Sequence, residues 1–286
     1  MDFTFHPGTN GSAPWVEFYP YYPSLGAGYA FTAIFGIATL VHLALMFPYR
    51  AAYFIPFFIG GICETFGYYG RARSHPDRTA IGPWAQQQML IMCAPPLLAA
   101  TVYMSLGRII RALDAEHLSL IRTKRLTVLF VLNDVVSFLT QLVGVGIQVT
   151  GDERVMKIGL KAVLAGLIFA LVVFVGFVWI AVVFHRRLSA EQTGVARGLK
   201  MNWGRYMWAI YTACLMMIVR NLVRTIEFAA PKGADIRDKE VYIYVFDAAT
   251  MAITMGVLAV WHPGMLVKRA RSVGKAQSPE MAPLSD

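Results

Sequence analysis

Residues 158–184 read IGLKAVLAGLIFALVVFVGFVWIAVVF, with Lys161 as the one charge in the run. A bilayer core is about 30 Å thick, so a helix crosses it with roughly 20 apolar residues. This stretch is long enough and apolar enough to do so. It sets the fold class if other runs like it flank it on both sides.

They do. Apolar spans fall at about 25–47, 52–70, 84–107, 126–149, 158–184, 205–228 and 241–261. The chain of 286 residues is 57% hydrophobic and 15% charged, where soluble domains carry about 25% charged residues. The expectation is an all-α polytopic membrane protein, a bundle of seven transmembrane helices with short loops and no separate soluble domain. The tail 1–24 precedes a membrane domain at 25–262, and a hydrophilic tail occupies 263–286. The second span is the least regular, carrying Pro56, several glycines and Glu64. Pro95-Pro96 should kink the third, and neighbouring helices or water must then satisfy the carbonyls those prolines leave free.

Basic residues set the orientation. The first 49 residues contain no Lys or Arg. With the N-terminus outside, fifteen Lys/Arg flank the spans on the inner side, among them Arg108, Arg111, Arg186, Arg187, Lys268, Arg269 and Arg271; eight flank the outer side. Positive charge stays inside, so the N-terminus is expected outside and the C-terminus cytoplasmic. The formal charge of +9 is spread over these span ends. It reads as a topology signal and as contact with anionic lipid, not as a nucleic-acid surface. Cys63, Cys93 and Cys214 all lie in apolar spans and read as small buried hydrophobes. The N-terminus lacks the basic and apolar regions of a cleavable signal peptide, so the first span should insert as an uncleaved anchor. Asn10-Gly11-Ser12 is a glycosylation sequon in the external tail.

Ionisable groups at membrane depth are expensive and mark functional sites by default. On the sixth span Arg220, Arg224 and Glu227 stand at i, i+4 and i+7, on one face, and Arg224 can pair with Glu227. Asp247, on the seventh span, falls at the depth of the arginines, with Thr250 and Thr254 continuing its face inward. Glu64 lies about two turns from the outer end of the second span, with Tyr68 and the interfacial Arg71 on its face. Leaving Arg71 aside, two arginines face three carboxylates, and the surplus carboxylate favours a cationic amine. A headgroup site is one reading; an ion-pair lock holding the second, sixth and seventh helices together is the other, and the two can coexist.

The fourth span carries a polar stripe, Thr127, Asp134, Ser137, Gln141 and Gln148. It reads either as interhelical hydrogen bonding or as the wall of a hydrated groove, with Asp134 placed to take a proton or a cation. His42, His185 and His262 fall toward the inner half and invite comparison with seven-helix zinc hydrolases, but no His-x-x-x-His pair is present. Capping or interfacial roles, with the two at helix ends meeting water, are the expectation, and no metal or cofactor is assigned. Ala162, Gly166 and Ala170 predict close helix packing on the fifth span, and His262-Pro263-Gly264 should end the seventh. Trp203, Trp261 and the Trp15–Tyr22 aromatics suit an interfacial belt. No phosphate-binding G-x-x-x-x-G-K-[ST] loop is present, and the seventh span has no lysine for a retinal Schiff base.

The strings Tyr22-Pro23-Ser24, Thr39–His42, E-T-F-G-Y-Y-G-R from Glu64 to Arg71, Ala94-Pro95 and Leu106-Gly107-Arg108 recur in order. So do Asp134/Ser137/Gln141, Arg220/Arg224/Glu227-Phe228, Phe246-Asp247 and His262-Pro263-Gly264. Over about residues 20–265 the chain resembles the fungal lipid-translocating exporter family. One departure is Gly28, where that family often has asparagine. The resemblance implies no enzyme. It implies instead export or leaflet-to-leaflet movement of amphipathic lipids, sphingoid bases among them, in a fungal plasma membrane, with links to stress and drug resistance and, in one branch, to porphyrin transport. The site roles above come from the residues alone: a headgroup cluster of Glu64, Tyr68, Arg220, Arg224, Glu227 and Asp247, and a groove of Asp134, Ser137 and Gln141. The rival class is a seven-helix lipid-sensing receptor or regulator.

Overall fold

Ser24 opens the first helix: its hydroxyl accepts a hydrogen bond from the Ala27 N–H at 3.3 Å, relieving one of the donors a helix start leaves free. From there α1 runs Leu25–Tyr49, α2 Ile55–Arg73, α3 Ile81–Ala112, α4 Thr123–Gln148, α5 Glu153–Ala190 and α6 Gly204–Ala229. Helix α7 is assembled from Val241–Ile243, a π-helical turn Tyr244–Ala248, and Ala249–Val260. Helix α8 follows as Pro263–Gln277. Short helical turns at Ala52–Phe54, Glu116–Leu118, Gly194–Gly198 and Asp235–Asp238 occupy the connections. The computed structural model describes residues 4–6, 15–19, 21–121, 123–148, 153–230 and 235–277; side chains at 4–6, 15–16, 123–127, 144–148, 153–157, 237–238 and 275–277 fall outside that description. Two three-residue strands, Thr4–His6 and Trp15–Glu17, pair antiparallel, an element the all-α expectation did not include.

All seven apolar spans are helical. Five helical segments are long and apolar enough to cross a membrane: Leu25–Tyr49, Ile81–Ala112, Ile158–Ala190, Gly204–Ala229 and Val241–Gly274, the last continuing from α7 into α8. Helix α2 does not reach that standard, having Glu64, Arg71 and Arg73 within its 19 residues. In α4 the apolar stretch among the described residues is the shorter Val128–Val143.

Each helix packs on its neighbour in sequence from α1 to α7, α7 returns to α1, and α3 touches α6 across the ring so formed. Large apolar side chains point outward around this ring, including Ile37, Phe66, Met89, Leu132, Val172, Trp179, Leu215 and Ile253. Polar ones point inward, among them Thr39, Gln87, Thr101, Asn133, Ser137 and Thr254. That is the arrangement a bilayer selects: hydrocarbon on the outside needs no burial, while polar groups must find partners within. The chain is an integral membrane protein.

Close approach fixes the ring in several places. A Cβ at Gly28 would meet the Cβ of Ala72 at 2.9 Å and its Cα at 3.0 Å. A side chain at position 28 would therefore part α1 from α2, which accounts for the glycine. At Gly166 a Cβ would meet the Thr140 hydroxyl at 2.5 Å, and Ala170 is buried, so the expected small-residue face of α5 packs on α4; Ala162, by contrast, is exposed.

His262-Pro263-Gly264 ends α7, as its residue types require, and Pro263 then starts α8, where its missing N–H costs nothing. Leu266, Val267 and Ala270 of α8 are buried against the bundle.

Candidate functional site

Proline at position 95 has no N–H to bond the carbonyl of Ile91 one turn earlier. That carbonyl accepts instead from Arg220 Nη2 of α6 at 3.1 Å. The expectation that a neighbouring helix would satisfy a freed carbonyl is met here, and by one of the charged residues singled out in the sequence.

Arg220 also pairs through Nε with Asp247 Oδ1. The second oxygen of Asp247 accepts from Arg224 Nη2 at 2.5 Å, and Arg224 Nη1 reaches Glu227 Oε2 at 3.0 Å, the i,i+3 pair that its spacing predicts. Asp247 lies in the π-helical turn of α7, a widened turn of the kind found most often at functional sites. Thr250 caps the same turn, donating to the carbonyls of Phe246 and Asp247, both at 2.9 Å. Two guanidinium groups, that of Arg220 buried and that of Arg224 partly so, thus share one buried carboxylate. Charges at this depth persist only when paired and hydrogen-bonded in this way.

Glu64 and Tyr68 lie behind this cluster. Glu64 is 0% exposed, and among the described residues neither of its oxygens has a hydrogen-bond partner, although Asp247, Arg220 and Arg224 are all within electrostatic reach. The Tyr68 hydroxyl is likewise without a partner, and its ring stacks on Phe35. The face of α2 turns these two groups into the protein, so the surplus carboxylate does not front an open site. The ion pairs themselves join α6 to α7 and, through Ile91, to α3.

Helix α2 is instead tied in through Arg71, which the sequence places at the interface. It is 1% exposed. Its guanidinium donates to Glu240 Oε1 at 2.8 Å, to the Tyr21 and Tyr244 hydroxyls at 3.1 Å each, and to Gln87 Oε1 at 3.5 Å. Glu240 also accepts from the Ser24 N–H with both oxygens, at 2.8 and 3.0 Å. Beside this knot Tyr19 donates to Ser74 and Gln87, and burial pushes its hydroxyl up to about 12. Glu240 and Gln87 escaped sequence reasoning because one lies in a connection and the other carries no charge.

Two clefts open beside the cluster. The first spans about 510 Å³, counting the open space at its mouth, and is lined by Asp134, Ser137 and Gln141 of α4, with Pro95 and Pro96 of α3 and Arg220 and Asn221 of α6. Within it Asp134 Oδ1 accepts from Asn133 at 3.3 Å, the carboxylate has the Tyr103 hydroxyl beside it, and Ser137 donates to the Gly166 carbonyl at 3.3 Å. The groove residues of α4 therefore share one cavity; Thr127 and Gln148 of the same stripe have side chains outside the described residues. The second cleft spans about 400 Å³, again counting its open mouth, and is lined by Arg220, Arg224, Glu227 and Asp247, with Tyr21, Lys239 and Tyr242. Arg220 lines both. Asn10 lies outside the described residues.

The histidines go elsewhere. His42 Nε2 meets the Met255 carbonyl at 2.9 Å, and His262 Nδ1 accepts from the Gly264 N–H at 3.1 Å, the capping role expected. His262 is 1% exposed, however, and does not meet water, because it stacks on Phe54. His185 stands apart and bonds the Tyr211 hydroxyl at 3.0 Å. Among the described residues no group of three His, Cys, Asp or Glu side chains converges as a metal site would require.

A family profile described as "RTA1 like protein" matches residues 57–270. The chain is 30% identical to Protein RTM1 of Saccharomyces cerevisiae, over 85% of this chain and 91% of that one. It is 34% identical to Protoporphyrin uptake protein 1 of the same species, over 72% of this chain and 67% of that one. It is 27% identical to "Probable lipid transporter atnI" of Emericella nidulans, over 91% and 72% respectively. No solved structure matches the chain.

Proposed function

Because the chain belongs to the RTA1-like protein family, we propose that it is a transporter, not an enzyme, that moves amphipathic lipids with a cationic headgroup, sphingoid-base or aminosterol in type, across a fungal plasma membrane. In this reading all seven helices α1–α7 cross, with 1–24 outside, 25–262 in the membrane and 263–286 cytoplasmic. The relatives named for a lipid and for a porphyrin support an amphipathic cargo.

One observation carries the mechanism: Arg220 lines both clefts. A headgroup entering the first cleft meets Asp134, whose carboxylate takes the amine, with Ser137 and Gln141 beside it. On the far side of Arg220 it meets Arg224, Glu227 and Asp247. Glu64 and Tyr68 back that cluster from within the protein. The tails stay in lipid throughout. An amine in bare hydrocarbon costs at least ~2.5–3.5 kcal/mol. Removing even about 1.4 kcal/mol of that barrier speeds passage roughly tenfold. Arg220 must move for the two clefts to join, so the ion pair with Asp247 is the gate. The driving force is a gradient or a downstream sink, as the chain has no phosphate-binding loop for ATP.

The test is flux of a labelled sphingoid base in reconstituted vesicles. Faster equilibration than in protein-free vesicles is expected, and more so with a pH gradient if Asp134 carries a proton. Equal rates with and without protein overturn transport and leave a receptor or regulator.

A further inference from the structure

At the end of the bundle opposite Asp247, three arginines gather. Arg108 and Arg111 come from the last turns of α3, and Arg271 from α8. Arg108 is within electrostatic reach of both Arg111 and Arg271. Its guanidinium carbon sits 4.3 Å from the centroid of the Tyr53 ring, in the short turn between α1 and α2. Among the described residues none of the three forms an ion pair; Arg111 spends one donor on the Gly107 carbonyl at 3.2 Å. Lysine 268 holds α8 in place by donating to the Pro48 carbonyl at 3.0 Å.

Beneath them lies a second anomaly. Tyr53 is buried, and among the described residues its hydroxyl makes no hydrogen bond of good geometry. The nearby Ser105 hydroxyl gives its one proton to the Thr101 carbonyl at 2.7 Å, so toward Tyr53 it can only accept. Buried hydroxyls are ordinarily satisfied, and like charges brought together repel. A single ligand removes both costs: an anion with several acceptor oxygens, accepting from the guanidinium groups and from Tyr53. Planar guanidinium forks match phosphate in particular.

We propose that Arg108, Arg111, Arg271 and Tyr53 form a phosphate site that binds the headgroup of an anionic membrane lipid and so clasps α8 to α3. The site is remote from both clefts and does not rest on the transport reading. The position at the end of the helices places it at headgroup level, where a lipid phosphate is the abundant source; a soluble phosphate has the same chemistry.

Thermal unfolding of the full chain in detergent, with native mass spectrometry, tests this. Phosphatidic acid should raise the melting temperature and stay bound, whereas phosphatidylcholine should do neither. In Arg108→Gln/Arg271→Gln the affinity for phosphatidic acid should fall at least about tenfold, the loss of roughly 1.4 kcal/mol of binding. Tyr53→Phe, which keeps the packing, should show a smaller loss, and stands in if the double variant does not fold. Inorganic phosphate reproducing the shift at equal concentration would uphold the site and assign it to a soluble ligand. Equal binding of phosphatidic acid by the wild type and both variants overturns the proposal.

Discussion

Arg220 donates to the carbonyl of Ile91, the acceptor that Pro95 leaves without a helical N–H. A break in α3 and a charge on α6 thereby become one device: the proline creates the acceptor and the arginine, already held by Asp247, fills it. Pro95→Ala would supply the missing N–H and reclaim Ile91 for α3. Proline costs about 3 kcal/mol inside a helix, so the melting temperature should rise. Flux should fall severalfold all the same, because Arg220 loses one of the two anchors that set its position between the clefts. A variant that is both stabilised and fully active would show that this bond is incidental to the gate.

The shared carboxylate makes a sharper prediction. Arg220→Gln leaves a buried pair half dismantled, which costs on the order of 3–5 kcal/mol. Asp247→Asn takes the carboxylate from Arg220 and leaves Arg224 with Glu227 alone, and should cost at least as much. The double variant should lose less than the sum of the two, by about 0.5–3 kcal/mol, since the second change removes a charge the first had orphaned. Unfolding in detergent of the wild type and all three variants closes the cycle; strict additivity would mean that the two residues do not act as a pair.

Asp134 is tested by charge, not by stability. Asn at this position keeps the size and the hydrogen bond with Asn133 but discards the negative charge that lines the first cleft. Flux of an amphipathic amine should drop about tenfold, the worth of roughly 1.4 kcal/mol in the barrier. An uncharged amphipath of the same chain length should be unaffected. Equal losses for both would recast Asp134 as a packing residue.

The helices were legible because a bilayer demands long apolar runs, and the Arg224–Glu227 pair because three residues is nearly one turn. The meeting of Asp247 with the arginines followed from depth alone. Depth does not give rotation, however. Glu64 sits at the expected height, yet α2 turns it inward, and nothing in the spacing of Glu64, Tyr68 and Arg71 says which way their common face looks. The partner of Arg71 was hidden for another reason: Glu240 is 169 residues away, in a connection that hydropathy reads as a gap. The two clefts were out of reach altogether, as a cavity depends on how whole helices tilt.

Gly28 offers a test of packing against family habit. Asparagine at this position would force its Cβ against Ala72, 2.9 Å away, and overpacking of this kind typically costs about 1–3 kcal/mol. Gly28→Asn should therefore lower the melting temperature, and adding Ala72→Gly should recover most of the loss by vacating the contact. If asparagine alone is neutral, α1 and α2 are less tightly apposed than their backbones indicate.

Glu240 fastens the N-terminal segment. It receives Arg71 and the Ser24 N–H at once, so the start of α1, the end of α2 and the approach to α7 meet on one carboxylate. Glu240→Ala would leave Arg71 buried with only neutral partners, Tyr21, Tyr244 and Gln87. An orphaned buried charge costs on the order of 3–5 kcal/mol. The loss should be local at first: residues 15–24 should become sensitive to protease before the helices unfold, since the Ser24 tether is gone. Arg71→Gln/Glu240→Gln should be milder than Glu240→Ala, because it removes both charges and keeps groups able to hydrogen-bond. Limited proteolysis followed by mass mapping reads the order of events. Cleavage appearing first between helices elsewhere would show that this knot does not govern the segment.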